Sequence, residues 1–155
     1  MEILKCDRIH LKKWRPTLIR FIWKHGDQRI THQAIRWFRR LNNVEQEGTL
    51  VALAMEEKRL IGLTALSNYG LGEAFIVVHP RFRKSGVGEK LLQFTLQELP
   101  KVYTRVACDN IASLKLCFSC GLIAYKLISG PTGKPTLCLT NRMADHQPQS
   151  AMKYL

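Results

Sequence analysis

Residues 77–92 read V-V-H-P-R-F-R-K-S-G-V-G-E-K-L-L, and the order of residue types in this stretch decides the fold. A run of β-formers ends at His79-Pro80. A basic loop with two glycines, Arg83-Lys84-Ser85-Gly86-Val87-Gly88, then leads straight into an amphipathic helical pattern. Strand, cationic loop and helix start in succession bring backbone N–H groups, two cations and the positive end of a helix dipole to one place. Such a place is a cradle for a pyrophosphate. Backbone that must approach phosphate oxygens has no room for a Cβ, and glycine also tolerates φ > 0.

Around this centre the chain reads as alternating short elements. Residues 73–78 form the incoming strand, whose unbroken apolar part predicts burial on both faces. The helix over 86–99 stops before Pro100, and residues 102–108 return as a strand, completing a β-α-β unit. Upstream, residues 49–55 and 60–66 are strand-like runs about the charged turn Glu56-Glu57-Lys58-Arg59 and predict a hairpin. Downstream, Asn110 caps a short helix that Gly121 ends. Residues 122–128 and 136–140 then flank a Gly-Pro-Thr-Gly turn as a closing hairpin. At the N-terminus residues 2–6 form a first strand. A helical stripe of Leu11, Trp14, Leu18, Phe21 and Ile22 follows to about His25, with Pro16 opening or kinking the helix. Thr31 caps a second helix, with Ile30 and Ile35 as a hydrophobic staple, ending near Asn42-Asn43. Neither repeats nor a linker interrupt the pattern. The expectation is one domain over residues 1–141, an α/β (α+β) mixed sheet with helices on both sides, and a loose polar tail over 142–155.

The pattern R-x-x-G-x-G at Arg83, Gly86 and Gly88, placed between strand and helix, resembles the acyl-CoA-binding signature of the GNAT N-acetyltransferases. Residues 110–122, N-I-A-S-L-K-L-C-F-S-C-G-L, resemble that family's second signature: Asn110, Ser113 and Gly121 fit, Leu122 stands in for a Phe, and Cys117 sits where Tyr is usual. The resemblance covers roughly residues 49–140; the first 48 match in pattern only. It implies a mostly antiparallel sheet of about six to seven strands whose two central parallel strands splay apart. It implies acetyl-CoA as acetyl donor, its pyrophosphate held by Arg83 and the backbone of Lys84, Ser85, Gly86, Val87, Gly88 and Glu89. The strand edge at Ile76, Val77 and Val78 would bond the pantetheine arm, with Asn110 and Ser113 also touching the cofactor. An N–H near Val77 or Val78 would polarise the thioester carbonyl.

Direct attack on a thioester by a primary amine needs a free lone pair, so a base or water chain assists near neutral pH. Glu73 is the candidate base by the resemblance; by itself it also reads as a solvated strand-end carboxylate. Cys117 is the candidate acid for the leaving thiolate. An ordinary thiol with a pKa of about 8.5 is protonated at neutral pH, though shorter than Tyr. The other reading puts Cys117 in the core with Leu114 and Phe118. Tyr125 and Tyr69 are substitute acids. His79 is read as structural beside Pro80.

Other motifs fit less well. A dinucleotide fingerprint would use Gly86 and Gly88, but Leu91 occupies its third glycine position and the loop from Pro80 is too long; Asp109 is its one supporting acid. The run Gly130-Pro131-Thr132-Gly133-Lys134-Pro135 is too short for a P-loop and has Pro where Ser or Thr must stand. Cys117 and Cys120 form C-x-x-C at a helix end, where the dipole opposes a thiolate, and no second ligand pair accompanies them, so no metal is expected.

Composition bounds the rest. A chain of 155 residues with 46% hydrophobic content suits one globular domain. It contains no apolar run near the roughly 20 residues of a membrane span and no signal-peptide pattern at its start. An odd count of five cysteines suggests reduced thiols and a cytoplasmic setting. The net charge of +12 favours polyanions, coenzyme A included, and admits nucleic acid without favouring it. The expected function is acetyl transfer from acetyl-CoA to an unidentified amine. The alternative is a non-catalytic CoA-sensing or nucleic-acid-binding module. Homodimers are common among such relatives and are an open expectation.

Overall fold

The computed structural model describes residues 1–27, 29–131 and 133–142, which form seven strands and four helices. The chain divides into two compact units, one over residues 1–98 and one beginning at Leu99. The first contains β1 (Glu2–Lys5), α1 (Arg8–His25), α2 (His32–Arg40), β2 (Leu50–Glu56), β3 (Arg59–Leu66), β4 (Ala74–Val78) and α3 (Val87–Glu98). Its sheet has the order β1-β2-β3-β4, antiparallel throughout. The charged turn is a two-residue loop with Glu57 and Lys58 both at positive φ, 49° and 66°. That conformation matches the twist of the flanking strands.

Period-two alternation sends the sheet's side chains to two cores. Val51, Leu53, Leu63, Ala65 and Val77 meet Leu11, Leu18, Phe21 and Ile22 of α1 and Ile35 and Phe38 of α2. On the opposite face Ala52, Ala54 and Ile61 meet Val87 and Leu91 of α3. Ala54 pairs with Gly62 but Met55 with Leu60, so Ile61 is the extra residue of a bulge and turns to the α3 face. Gly62 lets α3 approach: a Cβ there would lie 2.8 Å from Val87 Cγ1 and 3.0 Å from Leu91 Cδ1.

Local signals hold at the helix starts. Thr31 Oγ1 accepts the Ala34 N–H at 3.1 Å, and Ile30 and Ile35 share one core. Pro16 lies inside α1 and does not open it. Helix α2 stops at Arg40, short of Asn42-Asn43, because Leu41 turns into the core and the Arg15 guanidinium takes the carbonyls at the helix end. Arg15 donates to Phe38 O at 2.7 Å and Arg39 O at 2.8 Å, and also to Leu41 O. These are among the carbonyls a helix C-terminus leaves unpaired. Arg15→Ala is expected to cost about 1–3 kcal/mol in chemical denaturation. Arg15→Lys should recover only part of it, since a single ammonium does not match the guanidinium fork. Trp14 and Trp37 are half-buried against the core, whereas Trp23 is 54% exposed.

Burial of β4 on both faces is not observed. β4 ends its sheet, and Val77 alone of its five residues is buried. Its apolar run has two half-covered faces.

The second unit holds β5 (Tyr103–Ala107), α4 (Ile111–Ser119), β6 (Ile123–Ser129) and β7 (Pro135–Thr140). The sheet order is β5-β7-β6, again antiparallel, so the last strand sits between the other two. Asn110 Oδ1 accepts the Ser113 N–H at 3.4 Å. Gly121, at φ 88°, ends α4 with paired bonds from Leu122 N–H to Cys117 O and from Gly121 N–H to Phe118 O, the Schellman arrangement. Cys117 is buried, but Phe118 is 48% exposed and is not its core neighbour. β4 and β5 each end their own hydrogen-bonded sheet. The tail over 142–155 lies outside the described residues except for Arg142, whose Nε donates to Pro100 O at 2.8 Å.

Candidate active site

The edge of β4 is defined by its ladder. Ser67 N–H bonds Glu73 O at 2.9 Å and His79 N–H bonds Ile61 O at 2.8 Å, in register with Phe75–Ala65 and Val77–Leu63. Antiparallel alternation therefore turns the amides and carbonyls of residues 73, 75, 77 and 79 toward β3. Those of Ile76 and Val78 point to the edge, where no strand pairs with them in this sheet. Of the three residues expected to offer backbone here, Val77 is engaged by β3, and Ile76 and Val78 are available.

Val78 is only half available. Arg83 Nε donates to Val78 O at 3.2 Å, and its Nη2 donates to His25 O, at the end of α1, at 3.0 Å. Arg83 is therefore a brace that ties the strand end to a helix C-terminus, more than a free anion clamp. The His25 and His79 rings lie 4.4 Å apart beside it. Burial, and then the neighbouring His79, Lys24 and Arg83, push the His25 pKa down.

Between strand and helix, residues 80–82 form a short 3-10 turn capped by His79 Nδ1, which accepts the Arg81 N–H at 3.1 Å. Lys84 and Gly86 have φ of 62° and 90°. Successive backbone N–H groups in a turn of this kind can line an anion-binding concavity. Gly86 occupies the cap position of α3, its carbonyl accepting from Lys90 N–H at 3.0 Å. A glycine cap supplies no side-chain acceptor, and Ser85 turns its hydroxyl to donate to Phe82 O. The first-turn amides of Val87 and Gly88 thus have no intrahelical acceptor. A Cβ on Gly86 would meet nothing within 4 Å, so the cradle is open where a diphosphate needs to enter. Glu89 is the one acidic side chain in that turn.

Glu73 stands at the other end of β4. Ser67 Oγ accepts its N–H at 3.0 Å, fixing the main chain. Burial pushes its carboxyl pKa up, the direction a general base requires. It borders a cleft of about 590 Å³ whose other walls include Arg36, Trp37 and Arg40 of α2 and Asn42 and Asn43 beyond it. The α2 wall is the part sequence reasoning missed. Its signal was the spacing of Gln33, Arg36, Trp37 and Arg40 at i, i+3, i+4 and i+7, one helix face opposite the buried Ala34, Ile35 and Phe38.

Asn110, Ser113 and Cys117 belong to the second unit. Asn110 caps α4, and Ser113 is half-buried one turn on. Burial, helped by Cys120, pushes the Cys117 thiol up to about 11. Proton transfer from it to an ordinary thiolate would be uphill by roughly 3 kcal/mol. Tyr125 is also pushed up by burial, and Tyr69 by its bond to Glu47. Asp109 pairs with Lys134 at 2.9 Å, which occupies the acid a dinucleotide fingerprint would need. Among the described residues no three His, Cys, Asp or Glu side chains cluster to hold a metal, and no helix is long and apolar enough to cross a membrane.

A model of the "Acetyltransferase (GNAT) family" matches residues 8–122. The chain belongs to the GNAT acetyltransferase family. It is an N-acetyltransferase on an acetyl-CoA-binding fold. This GNAT chain is similar in structure to ribosomal-protein-alanine N-acetyltransferase from Brucella melitensis, at 17% identity and TM-score 0.69, over 90% of this chain and 98% of that one. It is similar to aminoglycoside 6'-acetyltransferase type Ii, at 14% and 0.68, over 90% and 96%. A third similar structure is yncA from Salmonella typhimurium with its cofactor acetyl-CoA, at 14% and 0.62, over 90% and 91%. No curated protein matches the GNAT chain in sequence.

Proposed function

We propose that this acetyltransferase moves an acetyl group from acetyl-CoA to a primary amine by direct attack, with Glu73 receiving the amine proton. Acetyl-CoA supplies the activated acetyl group. The glycine-capped start of α3, with first-turn amides at Val87 and Gly88 that have no intrahelical acceptor, together with the outer edge of β4, carries the reading. Those amides and the cation of Lys84 suit a diphosphate, and the outward groups of Ile76 and Val78 suit an extended amide-bearing arm. The Val78 N–H is the donor assigned to the carbonyl oxygen as negative charge develops there. Positioning both reactants together supplies much of the acceleration, and no covalent enzyme intermediate is required. On the family resemblance Asn110 and Ser113 also contact the carrier. Cys117 is assigned to packing, with water protonating the departing sulfur, since a buried thiol at about 11 holds its proton too tightly.

The test is calorimetry with acetyl-CoA followed by thiol release in the presence of a panel of amines. The expected result is binding, with release dependent on an amine. Binding without turnover of any amine would return the sensor reading. Salt-sensitive nucleic-acid binding with no response to acetyl-CoA would return the nucleic-acid reading.

A further inference from the structure

We infer that the acceptor carries a carboxylate near its reacting amine, as an acidic amino acid or the end of an acidic peptide does; this rests on the acetyl-transfer reading above. The cleft beside Glu73 has one carboxylate and two guanidinium groups, Arg36 and Arg40. These arginines stand one helical turn apart on the same face of α2, a like-charge spacing that opposes helix formation. Neither makes an ion pair with any carboxylate among the described residues. Nor does the helix end require them as caps, because Arg15 already occupies the carbonyls of Phe38, Arg39 and Leu41. Among the described residues their charges therefore have no structural partner, and both line the cleft beside Glu73.

The remaining chemistry agrees. Asn43 Oδ1 accepts the Glu45 N–H at 3.1 Å, which leaves its amide N–H groups to donate. Trp37 offers an apolar wall, itself held edge-on by Phe75 with ring centroids 6.3 Å apart. The volume of about 590 Å³ suits a ligand of one to a few residues. The amine end matches Glu73, and the anionic end matches the arginine fork. A polyamine would set its second cation against Arg36 and Arg40.

The test compares alanyl-glutamate, alanyl-glutamine amide, free glutamate and spermidine as acceptors for the full chain with acetyl-CoA. Alanyl-glutamate is expected to exceed its amide in kcat/KM by about tenfold, mostly through KM, with spermidine poorest. The Arg36→Gln/Arg40→Gln double variant should bring the first two together, while calorimetric affinity for acetyl-CoA stays unchanged. Free glutamate as the better substrate assigns a free amino acid, and the dipeptide as the better one assigns a peptide end. Equal rates for the charged and amidated dipeptides in the wild type, or an unchanged ratio in the double variant, overturn the inference. If acetyl-CoA binds and no amine turns over, the transfer reading falls. The inference is then decided by titrating the two dipeptides into CoA-saturated protein: tighter binding of the acidic one, lost in the double variant, supports it, and equal binding refutes it.

Discussion

Glu73→Gln is expected to lower kcat by about two to four orders of magnitude, the range of a positioned general base, while leaving the protein folded. The main chain at residue 73 is held from Ser67 through N–H and carbonyl, so the amide side chain takes the same place without the ability to receive a proton. Burial raises the folded pKa above the ordinary 4.5, and two pH effects follow. In the wild type the base is active only when ionised, so the acid limb of the rate profile should lie above 4.5; in the variant this limb should vanish. For stability the sign is opposite to that of a salt-bridged carboxylate. The folded state binds this proton more tightly than the unfolded one, so the group's stabilising contribution is full below 4.5. It is lost as pH rises through the higher folded value. At neutral pH the ionised carboxylate is a burden on the fold, and Gln should leave the melting temperature unchanged or slightly raised. Turnover within a few-fold of wild type would remove Glu73 from the mechanism.

Gly86→Val is expected to weaken acetyl-CoA binding by tenfold or more, with only a small change in global stability. No neighbour obstructs a side chain at this position, since a Cβ would meet nothing within 4 Å; the obstacle is the φ of 90°. Left-handed backbone costs an L-residue about 1–2 kcal/mol, more when it is β-branched. Rotation to negative φ would relieve that cost and re-aim the first amides of α3, which is the loss calorimetry should detect. Gly86→Asn should be milder, because Asn tolerates this region best. Gly62 is the contrasting case: there a methyl would press on Val87 Cγ1 at 2.8 Å. The expected effect of Gly62→Ala is therefore a stability loss of about 1–3 kcal/mol from overpacking. Unaltered acetyl-CoA affinity in Gly86→Val would separate the cradle from cofactor binding.

Much of this site was legible because its signals are local. Thr31, Asn110 and Gly121 act on amides and carbonyls within one turn, so their residue types suffice to mark helix ends. Gly86 announces a left-handed residue wherever the strand before it lies. The cleft was less legible because it depends on a helix face outside the recognisable motifs, and on an arginine, Arg15, reaching 23 to 26 positions along the chain.

The amino-acid order alone determined the succession of strands and helices, the glycine-led start of α3 and membership of a CoA-dependent family. Tertiary structure decided that β4 ends its sheet and that the backbone of Ile76 and the N–H of Val78, not Val77, are turned away from β3. It also turned Arg83 into a brace and set Arg36 and Arg40 in the cleft with Glu73. The physical reason is range. Caps and periodicity are settled within a few residues, whereas the partner of a strand, and so which of its amides remain unpaired, is settled by segments distant in the chain.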